Sequence, residues 1–443
     1  MVREKIGHKM VPAMNKVNLV DWKTFFFDPV YLAIHIPTSH LIEVEVDVYE
    51  FLNGKNPSEE IDAQLAEISN QWPRPRTQPR KTDIHAISLN MAQGCNLRCT
   101  YCFAGEGDYG KKSMMSAETA IRAISQLSMG KPNFHVIFFG GEPLLNYKVI
   151  KEVVEWCSQQ DVNYTYAMTT NGTLLSADKL DFFNEHRFAI TISYDGKGLQ
   201  GVQRKMHDNK TSSEPVVTKK LKVFQEKLGL LQKVILRSTI TKENLDQLFD
   251  SVISTLTSHN YKLAVSSHTT DLQRLSFNEA DVDKLGEVLE KVVAYFVEQQ
   301  DFETLMKLDN VKKHIQIIHN GEVNQIACGA GVNYLTVSTS GSYFLCHRFN
   351  EDKTENYGSI DNGLNSEKLQ QVLEFRKAKK EPCRSCWMRE WCAGGCFHNH
   401  KMAKKDKFDV DPLFCKLQEI EMNTAIYIYK LLQDHRPDLL DRI

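Results

Sequence analysis

Apolar residues in the opening segment come in short runs, Thr24–Phe27, Val30–Ile36 and Leu41–Val44, separated by the turn signals Asp28-Pro29 and Pro37-Thr38-Ser39. Runs of this length, bounded by proline and polar clusters, predict strands. Helical spacing follows over Val46–Leu52 and Glu59–Ile68, so residues 1–70 read as a small strand-then-helix module. Pro73, Pro75 and Pro79 then stand among arginines, which prevents both helix and central strand and makes residues 71–82 a linker. From residue 83 the pattern alternates. Predicted strands are Ile84–Met91, His135–Phe139, Tyr164–Thr170, Phe188–Tyr194, Lys233–Thr241 and Tyr261–His268. Predicted helices are Ala117–Met129, Tyr147–Gln159, Ala177–Asn184, Pro215–Leu228, Leu245–Ser258 and Glu279–Gln299. Repeated strand–helix units predict an α/β fold whose parallel sheet, open or curled into a partial barrel, spans residues 83–319 and carries its active site at the carboxyl ends of the strands. Over residues 320–443 the alternation stops, and the chain reads as short, cysteine-rich and loop-like, organised by metal more than by a large apolar core.

The length, 443 residues, suffices for two or three domains. A formal net charge of −2, with both signs spread along the chain, gives no global field to attract nucleic acid or an anionic membrane. No stretch approaches the roughly 18 apolar residues that a membrane span needs, and the N-terminus lacks a signal-type apolar core. A soluble, cytoplasmic protein is expected.

In that compartment thiols stay reduced, so eleven cysteines point to metal or catalysis. Cys157, alone within a predicted helix, reads as a buried structural thiol. The others are grouped. Cys95, Cys99 and Cys102 sit on the loop after the first strand of the alternating region. Three thiolates on one loop hold three corners of a cuboidal iron-sulfur cluster and leave one iron open, which is a catalytic position. Zinc is the rival, but structural zinc takes four ligands and the nearest histidine, His85, lies on the preceding strand.

The CxxxCxxC spacing with Tyr101 before its last cysteine resembles the signature of the radical S-adenosylmethionine superfamily. That resemblance implies a partial (β/α)6 TIM-type barrel and a 4Fe-4S cluster whose open iron chelates S-adenosylmethionine, yielding a 5′-deoxyadenosyl radical. It makes Cys95, Cys99 and Cys102 the catalytic metal ligands and sets Tyr101 near the adenine. Gly140-Gly141-Glu142-Pro143 resembles the element that binds the methionine amino group. Thr169-Thr170-Asn171-Gly172 and Ser193-Tyr194-Asp195-Gly196 resemble segments lining the cofactor pocket, with Asn171, Ser193 and Asp195 as contacts. Arg237 is a candidate partner for the methionine carboxylate.

Near the C-terminus, Cys383-x2-Cys386-x5-Cys392-x3-Cys396, preceded by Cys328 and Gly341-x4-Cys346 and followed by Cys415, resembles a SPASM domain, an extension holding two auxiliary iron-sulfur clusters. The resemblance assigns Cys328, Cys346 and Cys396 to a first cluster and Cys383, Cys386, Cys392 and Cys415 to a second, making three 4Fe-4S clusters in all. The second is closed and suited to electron transfer. The first has an open iron unless His347, His398 or His400 fills it.

Enzymes of this kind mostly modify peptides or proteins. His347 stands where the sulfatase-maturing branch has an aspartate, and an extra cysteine near Cys328 is missing, so sulfatase maturation is disfavoured. The N-terminal module resembles the winged-helix-like α+β domain that binds leader peptides by adding a strand to a sheet edge. The expected activity is therefore maturation of a ribosomally made precursor, closing a cysteine thioether of sactipeptide or ranthipeptide type. Its partners would be that precursor and an electron donor such as flavodoxin or ferredoxin. Carbon–carbon cross-linking or side-chain oxidation is the alternative chemistry, and a metal-cluster peptide-binding adaptor the non-enzyme alternative.

Overall fold

The computed structural model describes residues 17–72, 82–260, 262–267, 275–321, 328–378 and 381–443. Pro73, Pro75 and Pro79 of the expected linker, and Tyr261 and His268 bounding the expected sixth strand, lie outside the described residues.

Strands β1 (Trp22–Phe27), β2 (Val30–His35) and β3 (His40–Glu43) form an antiparallel meander in that order. Helices Val46–Leu52 and Glu59–Gln71 follow, the second started by Ser58, whose hydroxyl accepts from the Ile61 amide. This module has its own small core of Trp22, Ala33, Phe51, Leu52 and Leu65. Its other face packs on the C-terminal region, with Phe25 against Trp387 and Phe27 against Tyr427 at ring distances of 5.4 and 4.9 Å.

Next comes β4 (Ala86–Gln93), with the short β5 (Leu97–Cys99) and β6 (Ser113–Met114). The alternating region continues through β7 (Asn133–Gly140), β8 (Asn163–Thr170), β9 (Ala189–Ser193), the short β10 (Arg204–Met206), β11 (Lys233–Ile240) and β12 (Lys262–Ser267). The order β4-β7-β8-β9-β11-β12 is parallel throughout, as right-handed strand–helix–strand units dictate. The fold is thus the expected mixed α/β arrangement around a parallel sheet. Period two sorts its faces. Phe134, Val136, Phe138, Tyr166, Met168, Ile190, Ile192, Val234 and Leu236 are buried on one face. The alternate positions, His135, Ile137, Phe139, Thr169, Thr191, Ser193 and Thr239, are only half-buried and more polar, the signature of a sheet curled around a chamber.

The expectation that residues 320–443 lack a large apolar core is corrected. β13 (Tyr334–Val337) pairs in parallel with β4 on the side opposite β7, and β14 (Ser342–Phe344), β15 (Asn356–Ser359) and β16 (Gly363–Leu364) extend the sheet by antiparallel pairing. Helix Pro412–His435 packs on helices Asp309–Asn320 and Glu279–Glu298 through Leu417, Met422, Ala425, Ile426, Ile428 and Leu432. One continuous core therefore runs from the barrel to Leu440. Lys, Glu and Asn on the outer face of that last helix dilute its apolar period, and the cysteine spacing masks the rest.

Candidate functional site

The cysteine loop leaves the carboxyl end of β4 and is tied down on every side. β5 pairs antiparallel with β10, setting Cys99 opposite Arg204. The Arg98 guanidinium donates to the carbonyls of Cys95, Leu97 and Glu106, which closes the loop on itself. Burial pushes the Cys95 and Cys99 thiols up to about 12, and each of the three thiols is raised further by another of the set. They face one volume.

Gly141 fits under this loop because it lacks a side chain. A methyl there would overlap the carbonyl oxygens of both Gly94 and Gly107, and one on Gly107 would overlap the Cys95 Cβ. Glu142 is fully buried, and its carboxylate is taken up by the protein. Oε1 accepts from the Leu144 amide and the Thr170 hydroxyl at 3.1 and 2.7 Å, and Oε2 accepts from the Asn171 amide at 2.7 Å. Burial outweighs these bonds and raises its pKa from 4.5 to about 7. The sequence assigns this carboxylate to a ligand ammonium, and in the fold it also joins the ends of β7 and β8. Asn171 is likewise engaged, donating to Asn96 Oδ1 at 2.8 Å and to the Cys95 sulfur at 3.7 Å.

Asp195, just past β9, is buried and accepts from four donors. Tyr101 Oη and Arg204 Nε reach Oδ2 at 2.5 and 2.9 Å; the Thr239 amide and Arg204 Nη2 reach Oδ1 at 2.9 and 3.4 Å. Arg204 Nη1 is 3.9 Å from the Cys99 sulfur, and its guanidinium lies 5.1 Å from the Tyr101 ring centre. Burial opposes the Arg204 charge, but Asp195, Tyr101 and Cys99 outweigh it and hold the pKa above its ordinary value. Tyr101 and Asp195 thus brace the cysteine loop. Arg204, a lone arginine outside any motif, escaped the sequence reading.

On the chamber side, Ser193 and Arg237 are register partners on β9 and β11. Burial lowers the Arg237 pKa, and Arg348 lowers it further. The His347 ring stacks on Phe139 at 4.0 Å, and its Nδ1 lies 3.2 Å from Tyr334 Oη. Burial pushes His347 down to about 3, with Arg348 and Arg237 adding to it, so this imidazole is neutral. Burial raises the Tyr109 pKa, and Cys102 and Cys346 add to it.

The C-terminal thiols act on one another's ionisation in two groupings. Cys328 feels Cys396, and Cys346 feels both Cys396 and Cys328. Cys383 feels Cys392 and Cys386, while Cys415 feels all three of Cys392, Cys383 and Cys386. Of the histidines considered as further ligands, His400 is committed to the backbone, its Nε2 on the Gly394 carbonyl and its Nδ1 accepting from the Asp411 amide. His398 is buried beside Phe349. Cys157 is buried beneath the barrel, pushed up to about 12 by burial, with Tyr166 as its hydrogen-bond partner. Among the described residues, no three His, Cys, Asp or Glu side chains close on a single metal ion.

Residues 89–224 match the family model of the Radical SAM superfamily. The chain has the radical SAM fold. An uncharacterized protein of Methanocaldococcus jannaschii is 32% identical over 129 residues, 29% of this chain and 44% of its own length. The Radical SAM cyclopropyl synthase TigE of Paramaledivibacter caminithermalis is 20% identical over 331 residues, 71% of this chain and 68% of its own. A Cysteine-type anaerobic sulfatase-maturating enzyme of Clostridium novyi is 29% identical over 145 residues, 30% of this chain and 38% of its own. Two of these three are thus matched over less than half their length. Native anSMEcpe with bound AdoMet superposes with a TM-score of 0.65 at 17% identity, covering 81% of this chain and 100% of that one. Streptococcus suis SuiB bound to precursor peptide SuiA does so at 0.52 and 14%, covering 89% and 98%.

The radical SAM barrel carries a donor set that suits a cuboidal cluster. Each corner iron of a cuboid takes its own thiolate, so the thiols need to surround a volume and not a point. Buried thiols raised to about 12 become anions only when a cation replaces their protons, which is what iron does. The fold also gives the loop its floor, since only bare backbone at Gly141 lets the second strand end approach it.

Proposed function

We propose that this chain is a radical SAM peptide maturase that takes a hydrogen atom from a ribosomally made precursor and closes a cysteine thioether of sactipeptide or ranthipeptide type. The observation that carries the reading is the three-thiol set Cys328, Cys346 and Cys396, in which Cys396 and Cys328 both raise the Cys346 pKa. When bound, a reduced cluster and S-adenosylmethionine supply a 5′-deoxyadenosyl radical at the first loop, and auxiliary clusters supply an electron sink. Cys95, Cys99 and Cys102 would hold the first cluster, and Tyr101, Asp195 and Arg204 keep their loop rigid. Three thiols at the first auxiliary set leave room for a substrate thiolate. The balance is one carbon–hydrogen and one sulfur–hydrogen bond lost for one carbon–sulfur bond. The hydrogen atom would leave with the nucleoside, the thiol proton would go to solvent, and the one surplus electron, with a flavodoxin or ferredoxin as carrier, would offset the one consumed in cleaving S-adenosylmethionine to methionine.

Precursor capture falls to the N-terminal module. β3 pairs only with β2 among the described residues, so its outer edge is available for an added strand. A cleft of 290 Å³ between this sheet and helix Glu59–Gln71, lined by Asp21, Trp22, His35 and Trp72, lies in the same module. A precursor-bound SuiB and a peptide-bound anSMEcpe among the similar structures support a peptide substrate.

Sulfatase maturation is the second reading. The sequence disfavoured it, yet the similarity to a sulfatase-maturating enzyme and to anSMEcpe supports it equally. One experiment separates them. Anaerobically reconstituted protein is incubated with a reductant, S-adenosylmethionine, and either the cysteine-rich peptide encoded by a neighbouring reading frame or a sulfatase active-site peptide. Release of 5′-deoxyadenosine with loss of two hydrogens per bridge in the cysteine-rich peptide, seen by mass spectrometry with thiols blocked, is expected. Turnover of the sulfatase peptide alone replaces the thioether reading, and a colourless protein releasing no nucleoside ends both.

A further inference from the structure

Among the C-terminal thiols sits a cation that no cysteine motif announces. Arg376 comes from helix Ser366–Ala378 and is 3% exposed. Its Nη1 donates to the carbonyls of Ala393 and Gly395 at 2.9 and 3.1 Å, so the guanidinium is clamped inside the turn that joins Cys392 to Cys396. The Phe397 ring centre is 3.8 Å from its carbon, a cation–π contact that fixes the plane. Arg376, Cys383, Ala393 and Gly394 line one small cavity. Gly394 and Gly395, both at positive φ (88° and 67°), make the turn that lets the guanidinium in.

The two cysteines flanking that turn belong to different sets. On the assignment proposed above, Cys392 belongs with Cys383, Cys386 and Cys415, and Cys396 with Cys328 and Cys346. The guanidinium sits inside the turn between Cys392 and Cys396 and lines a cavity with Cys383, so thiols assigned to both sets flank it. A guanidinium is costly to bury without anions beside it. Two anionic clusters, one on each side, would provide them.

We propose that Arg376 is a redox-positioning residue, a fixed positive charge shared by both auxiliary clusters that raises the reduction potential of each. The inference rests on the assignment of those clusters under Proposed function. Its physical basis is that reduction adds negative charge to a cluster, and a buried cation nearby favours that state, the more so in a low dielectric. A charge placed between two centres acts on both, whereas a hydrogen bond to one ligand acts on one.

The test uses full-length protein carrying Cys95→Ala, Cys99→Ala and Cys102→Ala, so that only auxiliary iron remains. Iron is counted, and reduction of each cluster is followed by EPR-monitored potentiometry, in this background with Arg376, with Arg376→Gln and with Arg376→Lys. Loss of the charge in the Gln form is expected to make both clusters at least tenfold harder to reduce, a fall of 59 mV for one electron, while Lys restores most of it. Unshifted potentials, or a shift confined to one cluster, overturn the proposal. If the Gln form loses iron and the Lys form keeps it with near-parental potentials, the charge is again what the clusters require and the proposal stands. If both forms lose iron, Arg376 is a structural brace and the proposal fails. Absence of iron in the parent background instead refutes the cluster assignment itself, whatever the role of Arg376.

Discussion

Asp195→Asn is the sharpest test of how the cysteine loop is held. The wild-type carboxylate accepts four hydrogen bonds in the interior, two of them from Arg204, whose side chain is only 8% exposed. Asparagine keeps the shape but has one acceptor oxygen, and its amide hydrogens confront donors from Arg204 and Tyr101 or from Thr239. Removing one partner of a buried ion pair leaves an uncompensated charge and costs about 3–5 kcal/mol. Replacing both partners, as in Asp195→Asn with Arg204→Met, removes that charge, so the double variant should be more stable than the sum of the single losses predicts, by about 2 kcal/mol or more. Urea unfolding of the iron-free chain, followed by tryptophan fluorescence, measures all four corners of the cycle. A single variant within about 1 kcal/mol of the parent, or a cycle that closes additively, refutes the pair as the brace of this loop. Recovery of stability in the double variant without recovery of S-adenosylmethionine binding would further show that the loop needs the charge pattern as well as the packing.

Two more expectations follow from the same neighbourhood. Glu142 has a carboxyl pKa raised from 4.5 to about 7 by burial, so the folded chain holds a proton that the unfolded chain loses as pH rises between those values. Its contribution to stability is therefore fully present below pH 4.5, declines as pH rises, and levels off above about 7, a change of about 3 kcal/mol. Unfolding midpoints of parent and Glu142→Gln should converge or cross over that window, and a pH-independent difference contradicts the buried-carboxyl reading. Gly141→Ala forces the ends of β4 and β7 apart against backbone carbonyls, an overpacking of about 1–3 kcal/mol. Iron content should fall from roughly twelve to roughly eight per chain, one cubane fewer; full iron loading in this variant would mean that the loop does not rest on Gly141.

The barrel was legible because its signal is local. Alternate residues of β7, β8, β9 and β11 face helices or the chamber, and that period survives in the sequence whatever the tertiary context. Cysteine spacing was legible for a related reason: ligands on one short loop must be near one another. The division of the distant thiols into two sets came only through resemblance, since nothing local says that Cys396 joins Cys328 and Cys346, across some fifty residues, while Cys392 does not. Polar bracing was not legible. Glu142 and Asp195 sit in segments that read as ligand contacts, and only the fold shows that their oxygens also accept from Thr170, Asn171, Tyr101, Thr239 and Arg204. Arg204 and Arg376 carry no spacing at all; each gains meaning from a cysteine brought beside it by distant pairing.

The continuity of the core changes what metal does for this chain. A cysteine-rich tail of loops would depend on its clusters for folding, as small metal domains do. Here β13 is hydrogen-bonded to β4, and helix Pro412–His435 is packed on the helices that follow β12, so apolar burial already fixes the ends of the C-terminal region. The first auxiliary set draws Cys328 and Cys346 from segments flanking β13 and β14, and the second draws Cys415 from the first turn of that long helix. The stretch holding Cys383, Cys386, Cys392 and Cys396 lies outside any helix or strand, and it is the stretch that Arg376 clamps from its own helix. The thiols are therefore brought to preformed positions by the barrel's own packing. Their burial, which pushes Cys346 and Cys415 up to about 12, is the energetic cost that iron binding reverses. If these thiols hold clusters as proposed, the clusters would be cargo of a fold whose apolar core already joins the C-terminal region to the barrel.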